Sequence, residues 1–405
     1  MRSRPAHPGL AMLTTVLLTL GLAGCGTVVE GVPTRVRPDI SALDVGNYQT
    51  VPRTVGNAKN QRQARARESQ RLGDYVIQPA EADPSYTEDA WLLRSHIVLD
   101  RKALGSLVIN DTFNDVAKDL VAGWVNAEAT RADGDAPQRT ANIAVLMFPT
   151  PEIAKAVGPT LEHDDFTYNR DNQPLTITDF SDTTAHWRPG VSSIGSWTVH
   201  GRYVIYIKVV DDTAAPDAAA LIGHVVRLLG KQIPALDQFA PTPDADLPRI
   251  PLDTDGLLGR TLPSSPDAPF RPEPDGIYTG RGILTLLLHS GPETLARLRG
   301  HDVDLVAFGN AVVFRSRTAA GAEGLWRDWQ LSKDLDDDQR LVDPPDRVGD
   351  AIECIAQYGG TTANKVLAGH LCIMRVDRYV VQSRSKQLPD LYQRMSAQYA
   401  LLTSG

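Results

Sequence analysis

The residues with the most definite chemistry lie near the N-terminus, where an apolar run ends in a cysteine. Leu22-Ala23-Gly24-Cys25 has the order of a lipoprotein cleavage box. In such a box, small residues that fit a peptidase groove precede a thiol that accepts a diacylglycerol. The uncharged run 10–21 follows Arg2 and Arg4, which is typical of an export signal. We therefore expect residues 1–24 to be a signal peptide.

An ordinary secretory signal and a short transmembrane anchor are the alternatives. The apolar run is shorter than the ~20 residues that a membrane span requires, which disfavours the anchor. We expect Cys25 to be the lipidated first residue of the mature protein. The chain would then lie on the outer face of the plasma membrane, with the membrane as a partner through the lipid.

Two further cysteines, Cys354 and Cys372, complete the set of three. In an oxidising compartment such a pair is expected to form a disulfide, worth ~3 kcal/mol for a short loop. A metal site is a poorer interpretation, because no neighbouring His or Cys pair completes four ligands. Two buried free thiols remain the alternative.

Acidic clusters are the other candidates for chemistry. Glu162-His163-Asp164-Asp165 could hold a hard metal ion or supply hydrolase acids, although adjacent side chains seldom face one ion. The run 334–338 lacks the glycine and the closing glutamate of a calcium loop, and 253–256 has only the glycine. There is no nucleophile elbow, zinc-protease motif, P-loop or dinucleotide fingerprint. We assign no catalytic residue, metal site or cofactor.

Charge limits the partners. The chain has 41 basic and 49 acidic residues, a net charge of −8. Removal of the signal takes Arg2 and Arg4 and leaves 39 basic residues, so the net charge becomes −10. Nucleic acid is therefore excluded as an expected partner, because phosphate binding needs a basic excess.

A basic segment interrupts the polar stretch that follows Cys25. Arg62, Arg65, Arg67 and Arg71 recur at near-helical spacing. One hypothesis is a solvated helix ahead of the first domain. The other is a basic face on anionic lipid headgroups, each charge being worth ~1 kcal/mol there. The thin apolar face favours the solvated helix. We expect residues 25–84 to be a tether.

Beyond the tether, apolar periodicity predicts two domains, at 85–240 and 275–405, joined by a Pro- and Asp-rich linker at 241–274. The predicted class is α+β, each domain being a mostly antiparallel sheet with helices packed on one face. The main expected elements are strands at 142–148, 201–210, 282–288 and 372–382, a strand pair at 305–315 with a tight turn at Gly309-Asn310, and helices at 113–125, 151–161, 218–233, 292–298, 318–329 and 389–402.

The two domains are expected to be related. Residues 202–205, followed by a helix that Pro216-Asp217 opens, match 378–381, followed by a helix that Pro389-Asp390 opens. Upstream units end in Phe148 and Phe314, with Thr150 and Thr318 before their helices. Such a pattern predicts two copies of one α+β unit.

Several segments resemble a known family. They are Leu43-Asp44-Val45-Gly46-Asn47-Tyr48, Glu68-Ser69-Gln70-Arg71-Leu72-Gly73-Asp74-Tyr75-Val76, Arg378-Tyr379-Val380 and Ala397-Gln398-Tyr399-Ala400-Leu401-Leu402. Together with the cleavage box, they resemble lipoproteins of mycolic-acid actinobacteria that have two uncharacterised domains. The resemblance covers most of the mature chain and implies an anchored position beneath a lipid-rich outer layer. It implies no catalytic residue.

Three functions follow in order of preference. The first is a non-enzymatic envelope lipoprotein that binds a lipid, a glycan or an envelope protein, with the interdomain cleft as the expected site. The second is a hydrolase of envelope lipids or polymers that uses Glu162, Asp164 or Asp165. The third is a structural or sensory module without a small ligand.

Overall fold

The computed structural model describes residues 39–90, 95–105, 107, 112–134, 136–265, 274–287, 292–348, 351–361 and 364–404. The cleavage box Leu22-Ala23-Gly24-Cys25 lies outside these residues. In the described ranges, no helix combines the length and the apolar character that a membrane crossing needs. Residues 39–405 form one compact unit.

Helices and strands follow one another along this unit. The helices are α1 (Gln61–Leu72), α2 (Arg101–Leu104), α3 (Phe113–Val116), α4 (Pro151–Thr167), α5 (Ala218–Leu236), α6 (Pro292–Gly300), α7 (Ala319–Asp328) and α8 (Leu388–Thr403). The strands are β1 (Tyr86–Asp89), β2 (His96–Ile97), β3 (Ala122–Thr130), β4 (Arg139–Met147), β5 (Gln173–Thr176), β6 (Thr183–Trp187), β7 (Ser193–His200), β8 (Tyr203–Asp211), β9 (Gly276–Tyr278), β10 (Val303–Phe308), β11 (Val312–Ser316), β12 (Gln339–Val342), β13 (Ile352–Thr361), β14 (Asn364–Val376) and β15 (Tyr379–Ser385).

The strands form two antiparallel sheets, one in each half of the chain. The first has the order β1-β3-β4-β8-β7-β6-β5, with β2 also paired to β3. The second has the order β9-β10-β11-β15-β14-β13-β12. The α+β class and the two sheet-containing halves are confirmed.

The two sheets share one topology. A hairpin (β3-β4, β10-β11) leads to a helix (α4, α7), a four-stranded meander (β5–β8, β12–β15) and a last helix (α5, α8). The register matches as well, because Phe148 N–H donates to Arg202 C=O and Ser316 N–H donates to Arg378 C=O, both at 2.9 Å. Ser316, and not Phe314, is therefore the counterpart of Phe148 in the second half. The predicted correspondence is off by two residues. Thr150 and Thr318 do correspond, and each caps its helix.

The helices lie on both faces of each sheet, which refines the prediction of one covered face. In the first half, α4 packs on the face of Val204 and Tyr206. Helix α5 packs on the opposite face, with Ile205 and Ile207. The cause is visible in β4, which is apolar at successive positions and so needs cover on two sides.

Three elements differ from the prediction. The expected helix 113–125 ends at Val116, and β3 begins at Ala122. The expected strand 282–288 is a 3-10 helix, Gly280–Leu286. The expected strand 372–382 is a hairpin, β14-β15, which turns at Asp377 with φ 51°. A turn residue decides the third case, because the left-handed Asp377 ends a strand that the apolar pattern would continue.

Helix α1 lies between the two halves. It packs against β3 of the first sheet and β9 of the second. The main core contains Leu72 at the end of α1, Leu229 of the first half and Phe314 of the second. This corrects the predicted tether 25–84, since residues 39–84 belong to the compact unit. The part before residue 39 lies outside the described residues.

Polar side chains of α1 are buried, which is why its sequence lacks an apolar face. Glu68, Ser69 and Gln70 are 0%, 0% and 2% exposed. The Glu68 carboxylate accepts from Thr242 N–H at 2.8 Å, and Ser69 Oγ accepts from Gly123 N–H at 3.0 Å. Burial of polar groups is tolerated when each is hydrogen-bonded.

Candidate functional site

A cavity lies beside α1, between this helix and the segment that connects the two halves. It has a volume of about 630 Å³. We call it the Arg67 groove. Its lining residues are Asn57, Arg67, Arg71, Thr242, Asp246, Arg249, Ile250, Pro251, Asp253 and Thr254. One wall comes from α1 and the other from the segment that connects the halves.

Arg67 is a half-buried cation held by neutral oxygens. Its Nη1 donates to Ile277 C=O at 2.8 Å, Nη2 to Thr254 Oγ1 at 3.3 Å and Nε to Pro251 C=O at 3.3 Å. Among the described residues, no carboxylate lies within ion-pair distance of this guanidinium. Burial, and then the neighbouring Arg71, lower the pKa of Arg67. A guanidinium has five N–H groups, so two remain available to a ligand.

Arg71, one turn further along α1, is neutralised. Its Nη1 donates to the buried Glu68 carboxylate at 2.7 Å, and its guanidinium lies 5.4 Å from the ring centre of Phe239. Arg249, on the facing segment, is exposed. The groove thus contains two cations without an ion-pair partner among the described residues, Arg67 and Arg249.

The carboxylates of the groove differ in their availability. Asp253 accepts backbone N–H bonds from Thr254, Leu258 and Gly259, at 2.7 to 2.8 Å. This carboxylate is a local cap, not a calcium ligand of the kind considered for 253–256. Asp246 is exposed at the rim. The groove favours an anion whose charge meets Arg67, with Asp246 at its edge.

The four arginines that were candidates for a membrane-facing stripe do not share one face. Arg62 is exposed, and Arg65 donates to Lys118 C=O at 3.1 Å. Arg67 and Arg71 point into the groove instead. The basic stripe is therefore divided between solvent and the protein interior.

A second, smaller cavity lies in the first half. It has a volume of about 200 Å³ and is bounded by the end of α4 and by β6, β7 and β8. We call it the Asp165 cleft. Residues on its walls include Asp165, Tyr168, His186, Trp187, Gly195 and Lys208.

Asp165 and His186 form a carboxylate–imidazole pair in this cleft. Asp165 Oδ2 lies 3.6 Å from His186 Nε2 and accepts from Trp197 Nε1 at 2.9 Å. Burial raises the pKa of Asp165 and lowers the pKa of His186. Burial also lowers the pKa of Lys208, against the effect of Asp165. Ionisable groups with shifted pKa values in a cleft are typical of functional sites.

Of the predicted acids, Asp165 lines the Asp165 cleft, and Glu162 and Asp164 line neither this cleft nor the Arg67 groove. Asp164 accepts a hydrogen bond from Thr112 Oγ1, and Glu162 is half-buried on α4 with a pKa raised by burial. Within the described ranges, no three His, Cys, Asp or Glu side chains are arranged to hold a metal. Among the described residues, no hydroxyl or thiol donates a hydrogen bond to His186.

Cys354 and Cys372 are joined by a disulfide between β13 and β14. The two residues face each other across the strands with Cα atoms 4.1 Å apart, and both are buried. The predicted bond therefore lies inside the second core, remote in sequence from both cavities.

Family comparison accounts for nearly all of the compact unit. Residues 55–252 match the family described as "Domain of unknown function (DUF7373) N-terminal", and residues 257–405 match "Domain of unknown function (DUF7373) C-terminal". The chain belongs to the DUF7373 family. The two matches meet between residues 252 and 257, inside the predicted linker 241–274. The expectation of two uncharacterised domains is confirmed.

Two residues of the family segments named above make close contacts within the chain. Tyr48, in the first of them, donates from its hydroxyl to Asp390 on α8 at 2.7 Å. Gly73, in the second, lies so close to Trp124 that a Cβ would be 2.7 Å from the ring. Neither of these two residues lines the Arg67 groove or the Asp165 cleft, whereas Arg71 of the second segment lines the groove.

Other comparisons add little. No curated protein matches the chain. The crystal structure of the extracellular domain of PknH from Mycobacterium tuberculosis is similar at 13% identity, over 40% of this chain and 96% of that domain, with a TM-score of 0.26.

Proposed function

We propose that the chain is an envelope lipoprotein, lipidated at Cys25 on the outer face of the plasma membrane, that binds an anionic ligand in the Arg67 groove without chemical turnover. The ligand we propose is the phosphate-bearing headgroup of an envelope lipid. The supporting observation is the half-buried guanidinium of Arg67, which meets only neutral oxygens.

The charge arrangement supports an anion at this place. A half-buried cation without a carboxylate partner has lost hydration that its neutral acceptors replace only in part. A phosphate would add charge-assisted hydrogen bonds to the two remaining N–H groups of Arg67, with Arg249 at the opposite wall. The Asp253 carboxylate would repel an anionic ligand only weakly, because its oxygens already accept three backbone N–H bonds.

Size and lining favour a headgroup over a bare ion. The groove volume of about 630 Å³ is in the range of small-molecule sites, and Ile250 and Pro251 contribute apolar surface beside the arginines. A lipid-anchored chain would meet such headgroups at high local concentration.

Calorimetric titration of the purified full-length chain tests this proposal. The probes are dihexanoyl phosphatidylglycerol, dihexanoyl phosphatidylcholine and inorganic phosphate. We expect the anionic lipid to bind and Arg67→Met to weaken it about tenfold or more. Arg62→Met is the matched control, because Arg62 lies on the same helix but is exposed. Equal binding by Arg67→Met and wild type, or equal affinity for both lipids, would overturn the proposal.

The lipid anchor is tested separately. We expect Cys25→Ala to leave the chain unprocessed or to release it from the membrane, as measured by cell fractionation and intact-mass spectrometry. A Cys25→Ala chain that still carries diacylglycerol would contradict lipidation at this residue.

A hydrolase is the second candidate, favoured by the Asp165–His186 pair. In that case the purified chain would turn over p-nitrophenyl esters or glycosides, and Asp165→Asn would remove the activity. Turnover that survives Asp165→Asn would exclude the Asp165 cleft as its site.

A further inference from the structure

We propose that the Asp165 cleft is a second binding site, separate from the Arg67 groove, and that it takes a neutral sugar ring. The described lining of the cleft comes from the first half of the chain. The proposal rests on its floor, its polar groups and its aromatic walls.

The floor of the cleft contains one position that lacks a side chain. His186 on β6, Gly195 on β7 and Lys208 on β8 are direct neighbours across three strands, so their side-chain positions share one face. A Cβ on Gly195 would lie 3.3 Å from His186 Nε2 and 3.3 Å from Tyr206 Oη. The glycine therefore lets the His186 imidazole and the Tyr206 hydroxyl approach the floor closely, and the floor lies between an imidazole and an ammonium group.

Hydrogen-bond donors and acceptors both remain unused around the floor of the cleft. Asp165 bonds through Oδ2, and its Oδ1 accepts no hydrogen bond from a described residue. Asn172 Nδ2 donates to Phe166 C=O at 2.9 Å, which leaves Oδ1 as an acceptor. Asn169 Oδ1 accepts from Asp171 N–H at 3.0 Å, which leaves Nδ2 as a donor. Sugar hydroxyls both donate and accept, so they fit such a mixed set.

Aromatic side chains provide the apolar part. Tyr168 is 65% exposed at the end of α4, and Trp187 is half-buried at the end of β6. The face of an aromatic ring carries partial negative charge, which attracts the polarised C–H groups on the flat side of a sugar. An exposed tyrosine at the entrance of a polar cleft is better explained by such stacking than by packing within the chain.

Other ligand classes fit less well. A volume of about 200 Å³ is too small for an acyl chain with its headgroup. An anion would meet the cations Lys208 and Arg188 but also the Asp165 carboxylate, the acidic group of this lining. A sugar ring satisfies both charged groups through hydroxyls and needs no net charge.

The test uses the full-length chain in a detergent that has no sugar headgroup. The probes are the methyl glycosides of glucose, galactose and mannose, observed by saturation-transfer NMR and by tryptophan fluorescence. We expect at least one glycoside to bind, and Tyr168→Ala and Asp165→Asn to weaken it about tenfold or more. Tyr168→Ala removes an exposed ring and preserves the fold, which keeps the test valid if Asp165→Asn unfolds.

Two controls separate the alternatives. Asp164→Asn makes the same charge change one residue away, outside the cleft lining, and should bind like wild type. Arg67→Met should also bind the glycoside normally, so failure of the headgroup proposal does not affect this one. Binding that persists in both cleft variants, or wild type that binds none of the three glycosides, would overturn the sugar site.

Discussion

Arg281 and Glu81 form a two-point ion pair between the two halves of the compact unit. Nε and Nη2 of the guanidinium lie 2.5 and 2.7 Å from the two carboxylate oxygens. Nη1 of the same group donates to Asp74 C=O at 2.7 Å. Burial is the largest single effect and raises the pKa of Glu81. The hydrogen bonds from Arg281 and Gln78 N–H, together with the charges of Arg281 and Arg299, outweigh it, so the net shift is downward. Through Arg281, the second half thus forms an ion pair and a hydrogen bond with the segment that follows α1.

A double-mutant cycle with Glu81→Gln and Arg281→Met should show a coupling energy of about 1–2 kcal/mol. The folded-state pKa of Glu81 is lowered, so this stability is present above the unfolded pKa and is lost as pH falls through the folded pKa. Urea unfolding at neutral and acidic pH measures it. Glu323 and Arg327, an exposed pair at 3.8 Å, are the control and should couple by no more than ~0.5 kcal/mol. Equal coupling in the two pairs would contradict this assignment.

Glu128 should make stability fall as pH rises. It is 1% exposed, and burial raises its pKa to about 8. Between the unfolded pKa near 4.5 and about 8, the folded chain holds the proton and the unfolded chain does not. The free energy of unfolding of wild type should therefore fall by roughly a few kcal/mol relative to that of Glu128→Gln as pH rises over this window. Glu88→Gln, at a carboxylate 43% exposed, is the control. If the free energies of unfolding of wild type and Glu128→Gln changed with pH in parallel, the raised pKa of Glu128 would be refuted.

Gly73→Ala should destabilise the chain by about 2–3 kcal/mol, because the new methyl group would overlap the Trp124 ring against which α1 ends. Gly230→Ala is the matched control: it lies within α5 with nothing in reach of a Cβ, and should add up to ~1 kcal/mol. Thermal and urea unfolding of both variants give the comparison. A neutral Gly73→Ala would mean that the close contact with Trp124 relaxes freely.

Loss of the disulfide should cost ~3 kcal/mol in the chain-entropy model. The measurement is urea unfolding of wild type with and without reductant, beside a Cys354→Ala/Cys372→Ala variant. Reductant should lower the stability of wild type and leave the variant unchanged. A wild type insensitive to reductant at its unfolding midpoint would argue against the bond.

Local sequence patterns predicted the parts of the fold that local chemistry decides. Thr150 and Pro151 place the start of α4, and the spacing around Gly309 places the β10-β11 hairpin. The repeat was predicted because its halves keep a strand, a turn and a capped helix in one order. Helix α1 was assigned to a tether because its buried residues are polar, and hydrophobic periodicity does not detect a helix held by hydrogen bonds.

The cavities could be predicted only in part. Asp165 was a candidate because acids cluster there, but its partners His186 and Lys208 come from strands whose register was unknown. A slip of one residue would move either side chain to the opposite face. Arg67 was singled out by spacing, whereas its direction depends on β9, which lies far along the sequence.

The position of α1 has a consequence for how the chain folds during synthesis. The helix emerges early, yet the surface that covers its second side, at Gly276 and Tyr278, follows about two hundred residues later. Until then Gln70 lacks the Tyr278 hydroxyl and Arg67 lacks the Ile277 carbonyl, although Glu68 and Ser69 already have partners in the first half. The contacts of α1 are therefore completed only after the second half has been made. A chain cut at the boundary between the two family matches would leave the second side of α1 uncovered. Partly folded chains with such exposed surfaces bind chaperones or aggregate.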